Sequence, residues 1–168
     1  YIGSVLALKP STGEIVWHYQ FSPGDPYDYD GVNELVLADL PIGGKTTKVL
    51  MQANRNGFFY VIDRASGKLI SGTQFARKVN WASGIDKASG RPIDTPMTAM
   101  VKKTEETPDF IEVWPSAFGG KNWMPMSYDP GRKLVFLNSI DLGMKVKYVK
   151  QERPGGPNWY LGLELGGF

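Results

Sequence analysis

Four carboxylates crowd the stretch "GDPYDYDGVNE": Asp25, Asp28, Asp30 and Glu34. Like charges this close repel unless a cation sits among them. Asp28 and Asp30 are spaced Asp-x-Asp. In an extended chain the two-residue period sends both to one face, about 7 Å apart, and Tyr27 and Tyr29 to the other. Two carboxylates so placed make a clamp for a hard cation with oxygen ligands. In a turn the same aspartates would suit the backbone and face water, and the motif alone does not choose. Asp25 and Glu34 acquire no role from their spacing.

Two further strings carry polar atoms that chemistry could use. In "QANRNGFFYVIDR", Arg55 stands between Asn54 and Asn56 at the start of an apolar strand. It is either a solvated turn residue or a fixed cation that donates to the oxygens of an anionic or carbonyl-bearing ligand. In "WPSAFGGKNWMPMSYDP", Gly119-Gly120 permits a tight turn and a close approach to a neighbour. Asn122 offers a donor and an acceptor, and Trp123 a flat surface that we expect to dock between sheets. The lone His18 follows Trp17 with no Ser, Cys or His nearby, and is read as structural. A phosphate-binding Gly-rich loop and a nucleophile elbow are both missing from the sequence.

The elements that must position these residues read as strands. "LALKPSTGEIVW" (Leu6–Trp17) and "YVIDRASGKLIS" (Tyr60–Ser71) share a layout of strand, polar turn ending in Ser/Thr-Gly, and second strand. "GIDKASGRPID" (Gly84–Asp94) repeats the turn with a weak second strand, and "MSYDPGRKLVFLN" (Met126–Asn138) repeats the whole with a shorter loop. In each, Gly is expected to supply the positive φ of the turn. Glu34–Leu40 and Thr47–Gln52 flank "PIGGK" as another hairpin, and Gly57–Ile62 and Leu134–Leu137 are apolar strands. No long window keeps a helical period free of Gly or Pro. Thr95–Asp109 therefore reads as a surface loop, and "QERPGGPNWYLGLELGGF" as a loop leading toward a strand. Hairpins recurring at roughly 40 to 55 residues predict propeller blades of four strands, about three in this chain; a small β-sandwich is the alternative.

Bulk properties narrow the partners. Hydrophobic residues at 42% and charged residues at 21% describe an ordinary globular sequence, and a net charge of +2 with scattered Lys and Arg gives no case for nucleic acid. The longest apolar run, "FFYVI", is far too short to span a membrane. With no cysteine there is no disulfide or thiolate metal site in these residues. The sequence starts Tyr1-Ile2-Gly3 directly in a strand pattern, without a signal peptide, and reads as an internal portion of a longer chain.

Taken together, "GSVLALKPSTGEIVWHYQFSPGDPYDYDGVNELVLADL", "RNGFFYVIDRASGKLI", "NWASGIDKASGRPI" and "PSAFGGKNWMPMSYDP" resemble the pyrroloquinoline quinone (PQQ)-dependent methanol/ethanol dehydrogenases over nearly the whole chain. The resemblance implies an all-β, eight-bladed β-propeller of four-stranded antiparallel sheets in the bacterial periplasm, with residues 1–168 as an internal part of one propeller domain. Its tryptophan-docking repeats match Trp17 and Trp123, with Ser71 in place of Trp in the second unit. It implies Asp28 as catalytic base and metal ligand, and Arg55, Asn122 and Trp123 as cofactor contacts. Asp30, two positions on, is similar to the extra carboxylate of the lanthanide-dependent branch, with Ca²⁺ the alternative ion. The implied partners are a small primary alcohol and a c-type cytochrome, and a homodimeric parent is compatible with it. The family's remaining metal ligands, its PQQ-stacking Trp and its paired cysteines precede this segment, so the 168 residues alone are expected neither to hold PQQ tightly nor to turn over alcohol. A non-catalytic propeller used as an assembly scaffold, or a carbohydrate- or calcium-binding β-domain, remains open on the residues alone.

Overall fold

The computed structural model describes residues 2–149 and 162–168. The strands are β1 (Ser4–Leu8), β2 (Ile15–Gln20), β3 (Val36–Ile42), β4 (Lys45–Ala53), β5 (Phe58–Asp63), β6 (Leu69–Gln74), β7 (Ala82–Ile85) and β8 (Pro92–Asp94). The helix α1 (Pro96–Thr104) follows, then β9 (Ile111–Val113), β10 (Ser127–Asp129), β11 (Leu134–Phe136), β12 (Met144–Tyr148) and β13 (Leu163–Gly167). One sheet is a complete four-stranded antiparallel meander, β3-β4-β5-β6; the others are β1-β2, β7-β8, β10-β11 and β13-β12-β9. The molecule is thus nearly all-β, as its alternating patterns predict. The strand expected near the C-terminus is β13; most of the loop expected before it lies outside the described residues.

The Ser/Thr-Gly turns share one geometry. The N–H of Gly13, Gly67 and Gly90 donates to the carbonyl of Lys9, Asp63 and Asp86, each at 2.8 Å, and all three glycines have positive φ. The opening residue of each turn then bonds forward, Lys9 to Glu14, Asp63 to Lys68 and Asp86 to Arg91. The fourth repeat departs from this expectation. There Lys133, with φ of 57°, takes the left-handed position, while Gly131 donates its N–H to the Asp129 carboxylate.

Gly67 also explains how one sheet docks on the next. A Cβ at this position would fall 2.7 Å from the Trp17 ring, whose Nε1 donates to the Arg64 carbonyl at 3.1 Å. Trp17 therefore caps the β5–β6 turn from β2, the docking role that the family resemblance implies. Tyr19, two residues on and on the same face, performs the corresponding task at the next turn by donating to the Gly90 carbonyl at 2.6 Å. Behind these contacts runs an aromatic core of Tyr19, Phe21, Phe58, Tyr60 and Trp81. Its edge-on pairs, such as Phe21–Tyr60 at 4.8 Å, each add about 0.5–1.5 kcal/mol beyond burial.

One expectation about elements holds with longer strands, and one fails. The hairpin around "PIGGK" turns on Gly43-Gly44 alone, and Pro41 lies within β3; it is tolerated there because β3 is an edge strand. The segment expected to be a loop contains α1. Pro96 sits in the first turn, where its missing N–H is no loss; Met97, Met100 and Val101 face the core, and Lys102 and Lys103 suit the last turn. The apolar stripe is only one turn long, too short to stand out from the surrounding polar and proline residues. Among the described residues no helix is long and apolar enough to cross a membrane.

Candidate functional site

The acidic stretch between β2 and β3 is irregular, not the extended strand that would place both aspartates on one sheet face. Asp28 has φ of 63°, a left-handed conformation that Asp tolerates better than most residues. The alternation of burial survives nonetheless. Tyr27 and Tyr29 are each 1% exposed, while Asp28 and Asp30 face outward. The tyrosines are pinned from different directions. Tyr27 Oη bonds Thr98 Oγ1 of α1 at 2.9 Å, and Tyr29 Oη donates to the Pro115 carbonyl at 2.6 Å.

Asp25, a bystander in the sequence, organises this loop. Its two carboxylate oxygens accept the N–H of Tyr27 at 2.8 Å and of Tyr29 at 2.6 Å, bracketing Asp28. Burial pushes the Asp25 carboxyl up to about 6; these two N–H groups oppose the rise and the Asp28 charge adds to it. Glu34, the other bystander, reaches residues far along the chain. Its Oε2 pairs with Lys121 Nζ at 2.9 Å and its Oε1 accepts the Met126 N–H at 2.6 Å. Burial alone would raise the Glu34 carboxyl, but the Met126 N–H and the Lys121 ammonium outweigh it and hold it below its ordinary value. The Glu34 role is not visible locally, because Glu34 and its partners lie 87 and 92 residues apart.

Arg55 stands on the tight β4–β5 connection. Asn54 Oδ1 accepts the Asn56 N–H and Asn56 Oδ1 the Phe58 N–H, each at 3.1 Å, so the flanking asparagines hold the turn. Gly119 and Gly120 then press against it. The Gly120 N–H donates to the Arg55 carbonyl at 2.8 Å, and a Cβ on Gly119 would meet Arg55 backbone at 2.8 Å. This is the close approach expected of the glycine pair. The Arg55 guanidinium donates through Nη2 to the Ala117 carbonyl, and its Nη1 lies 3.7 Å from Asp30 Oδ2. Its Nε is buried without a hydrogen-bond partner among the described residues.

The loop after Gly120 completes the arrangement. Asn122 braces its own loop, with Nδ2 donating to the Phe118 carbonyl at 2.9 Å and Oδ1 accepting the Trp123 N–H at 3.0 Å. Trp123 does not dock between sheets among the described residues: it is 78% exposed. Its ring lines a hollow instead of packing between the sheets of these residues. Arg55, Asn122 and Trp123 line one hollow of about 430 Å³ with Phe118, Met124 and Leu142. A larger hollow of about 560 Å³, beside Met100, Thr107 and Tyr148, contains none of the predicted site residues. His18 is exposed on β2 and does not line the 430 Å³ hollow.

The structure thus gathers Asp30, Arg55, Asn122 and Trp123, with Asp28 at the loop's outer face. A buried guanidinium N–H without a partner, beside an apolar hollow and an open indole, fits a flat ligand bearing carbonyl or anionic oxygens. The carboxylates fit a hard cation only in part. Among the described residues no cluster of three or more His, Cys, Asp or Glu side chains is placed to hold a metal ion. Such ions take six to eight oxygens, so Asp28 and Asp30 would be part of a larger set.

Residues 1–80 match the family model described as glucose/ethanol/alcohol dehydrogenase, beta-propeller domain. The chain is 49% identical over 137 residues to the quinohemoprotein alcohol dehydrogenase ADH IIB of Pseudomonas putida, covering 82% of this chain and 19% of that protein. It is 40% identical over 173 residues to the 1-butanol dehydrogenase (cytochrome c) of Thauera butanivorans, covering 97% and 24%. Among solved structures, the quinohemoprotein alcohol dehydrogenase ADHIIG of Pseudomonas putida HK5 superposes with a TM-score of 0.88 at 40% identity, covering 98% of this chain and 24% of that one. A europium-containing methanol dehydrogenase superposes with a TM-score of 0.79 at 33% identity, covering 99% and 27%. The chain spans about a fifth to a quarter of the length of the curated relatives it matches.

Proposed function

The chain belongs to the family of PQQ-dependent alcohol dehydrogenase β-propellers, and from that premise we propose that it is an internal part of a single propeller domain whose active site oxidises primary alcohols to aldehydes. The observation that carries this reading is the convergence of Arg55, Asn122 and Trp123 on one hollow, with Asp30 against Arg55. A scaffold propeller would need the docking of Trp17 on Gly67, but it has no use for a buried guanidinium with an unpartnered Nε.

PQQ, when bound, supplies the acceptor for the two electrons and the hydrogen that leave the alcohol carbon. Arg55 would hold the quinone oxygens by charge-assisted hydrogen bonds, its own position fixed by Ala117 and by the Gly120 contact. Trp123 and Asn122 would border the cofactor. Asp28 accepts the hydroxyl proton at its carboxylate, which faces outward and is carried on a loop braced by Asp25. Asp28 and Asp30 would supply part of the oxygen set that holds the cation. Two adjacent carboxylates favour a trivalent lanthanide over Ca²⁺, since the second anion offsets the added charge; the europium-containing neighbour supports this choice. Relatives described as quinohemoproteins or as using cytochrome c support a c-type cytochrome as electron acceptor, and we assign the parent to the periplasm on the family resemblance.

The test is dye-linked alcohol oxidation by the full-length parent reconstituted with PQQ and either Ca²⁺ or La³⁺. We expect turnover, higher with La³⁺. Inactivity with both metals would sink the proposal, and higher activity with Ca²⁺ would overturn the lanthanide assignment alone.

A further inference from the structure

We propose that Glu34 and Lys121 are positioning residues that fix the cofactor-facing turn, residues 122–125, against the Asp28–Asp30 carboxylates; the inference rests on the alcohol-oxidation reading above. One carboxylate brackets the turn at both ends. Glu34 Oε2 holds Lys121 just before it, at 2.9 Å, and Glu34 Oε1 holds the Met126 N–H just after it, at 2.6 Å. Glu34 itself belongs to the segment that carries Asp28 and Asp30. The two halves of the site, distant in sequence, are therefore joined through a single side chain.

The bracket is rigid and anchored. The Lys121 side chain is 0% exposed, and its Nζ also donates to the Asn122 carbonyl at 3.2 Å. That carbonyl accepts a second bond from Asn33 Nδ2 at 3.1 Å, next in sequence to Glu34. The Asn33 carbonyl in turn accepts Gln52 Nε2 at 2.8 Å, so the bracket is tied to β4 in the middle of the four-stranded sheet. Between the fixed ends, Trp123 and Met124 point into solvent, 78% and 42% exposed. A buried ammonium is costly and apolar residues would fill the same space without that cost. What the charge adds is direction, because Nζ and the carboxylate each hold two named groups. Sites of this kind lose function when their supporting contacts let them move by about 0.5 Å.

The experiment uses the full-length parent and two variants, Glu34→Gln and the double Glu34→Leu/Lys121→Met. Hydrogen exchange of residues 122–126 is measured in PQQ-free protein, and PQQ affinity by quenching of tryptophan emission in metal-loaded protein. The double variant removes both charges together, so it should fold with a melting temperature close to wild type. We expect faster exchange in the turn and PQQ binding weaker by about 10- to 100-fold. Glu34→Gln, which keeps an acceptor for the Met126 N–H, should lie between. Unchanged exchange in the double variant would overturn the bracket, and faster exchange with wild-type PQQ affinity would overturn its role toward the cofactor. Failure of the wild type itself to bind PQQ would overturn the functional reading, and is recognisable because the exchange comparison needs no cofactor.

Discussion

Lys121 meets Glu34 at 2.9 Å with its side chain fully buried, whereas Arg55 stands 3.7 Å from an Asp30 that is 51% exposed. The first pair is saturated, since its buried ammonium holds Glu34 and the Asn122 carbonyl and its carboxylate holds Lys121 and the Met126 N–H. The second is loose: Arg55 keeps a buried Nε without a partner among the described residues, and the Asp30 carboxylate is open. Both pairs join the acidic loop to the rest of the site, yet only one is complete as it stands. The saturated pair holds structure, and the proposed function leaves the loose one for a ligand to complete.

Breaking the two pairs should separate them by stability. Lys121→Met leaves Glu34 facing a partly buried gap, and we expect a loss of about 3 kcal/mol in denaturant unfolding of the full-length parent. A loss under about 1 kcal/mol would put both pairs in one class. A smaller effect comes from Asp25, which braces the loose side. Its folded value of about 6 lies above the 3.8 of an ordinary Asp. The folded state therefore binds this proton more tightly, and the stabilisation is complete below pH 3.8 and lost as pH rises through 6. In metal-free parent the loss should be on the order of 2 kcal/mol after allowance for partial exposure. Asp25→Asn should remove that part of the slope between pH 4 and 7; an identical slope in both proteins would refute the assignment. Smallest of all, Asp30→Asn should change stability by less than about 1 kcal/mol, as for other exposed pairs. A large loss would show that the second pair is structural after all.

How far each feature was legible in the sequence follows the same division. The turns at Gly13, Gly67 and Gly90 are local, set by Gly and its neighbours, and the pattern identifies them. So is the inward–outward alternation of Tyr27, Asp28, Tyr29 and Asp30, although the loop reaches it without a strand. The helix α1 was hidden because one apolar turn beside Pro96 resembles a loop. Trp123 is exposed among the described residues, and its surroundings in a propeller of which this chain spans about a quarter depend on more than its own sequence context. The role of Asp25 has a local signal, an Asp capping the N–H groups that follow it, since its two donors lie only two and four residues away. Glu34 had no such signal, since its partners come together only when the chain folds. Arg55, Asn122 and Trp123 each stand out in their local strings, but only the family resemblance joins them, and spacing alone does not.

The central claim is that this chain supplies the proton-accepting carboxylate of an alcohol-oxidising site, and it is tested most directly by Asp28→Asn in the full-length parent. Asn accepts the left-handed backbone that Asp28 adopts, so the loop should persist. The measurement is kcat for alcohol oxidation, with bound PQQ and bound metal quantified in the same samples. At equal occupancy the account predicts a fall of about 10²- to 10⁴-fold; a kcat close to wild type would contradict it.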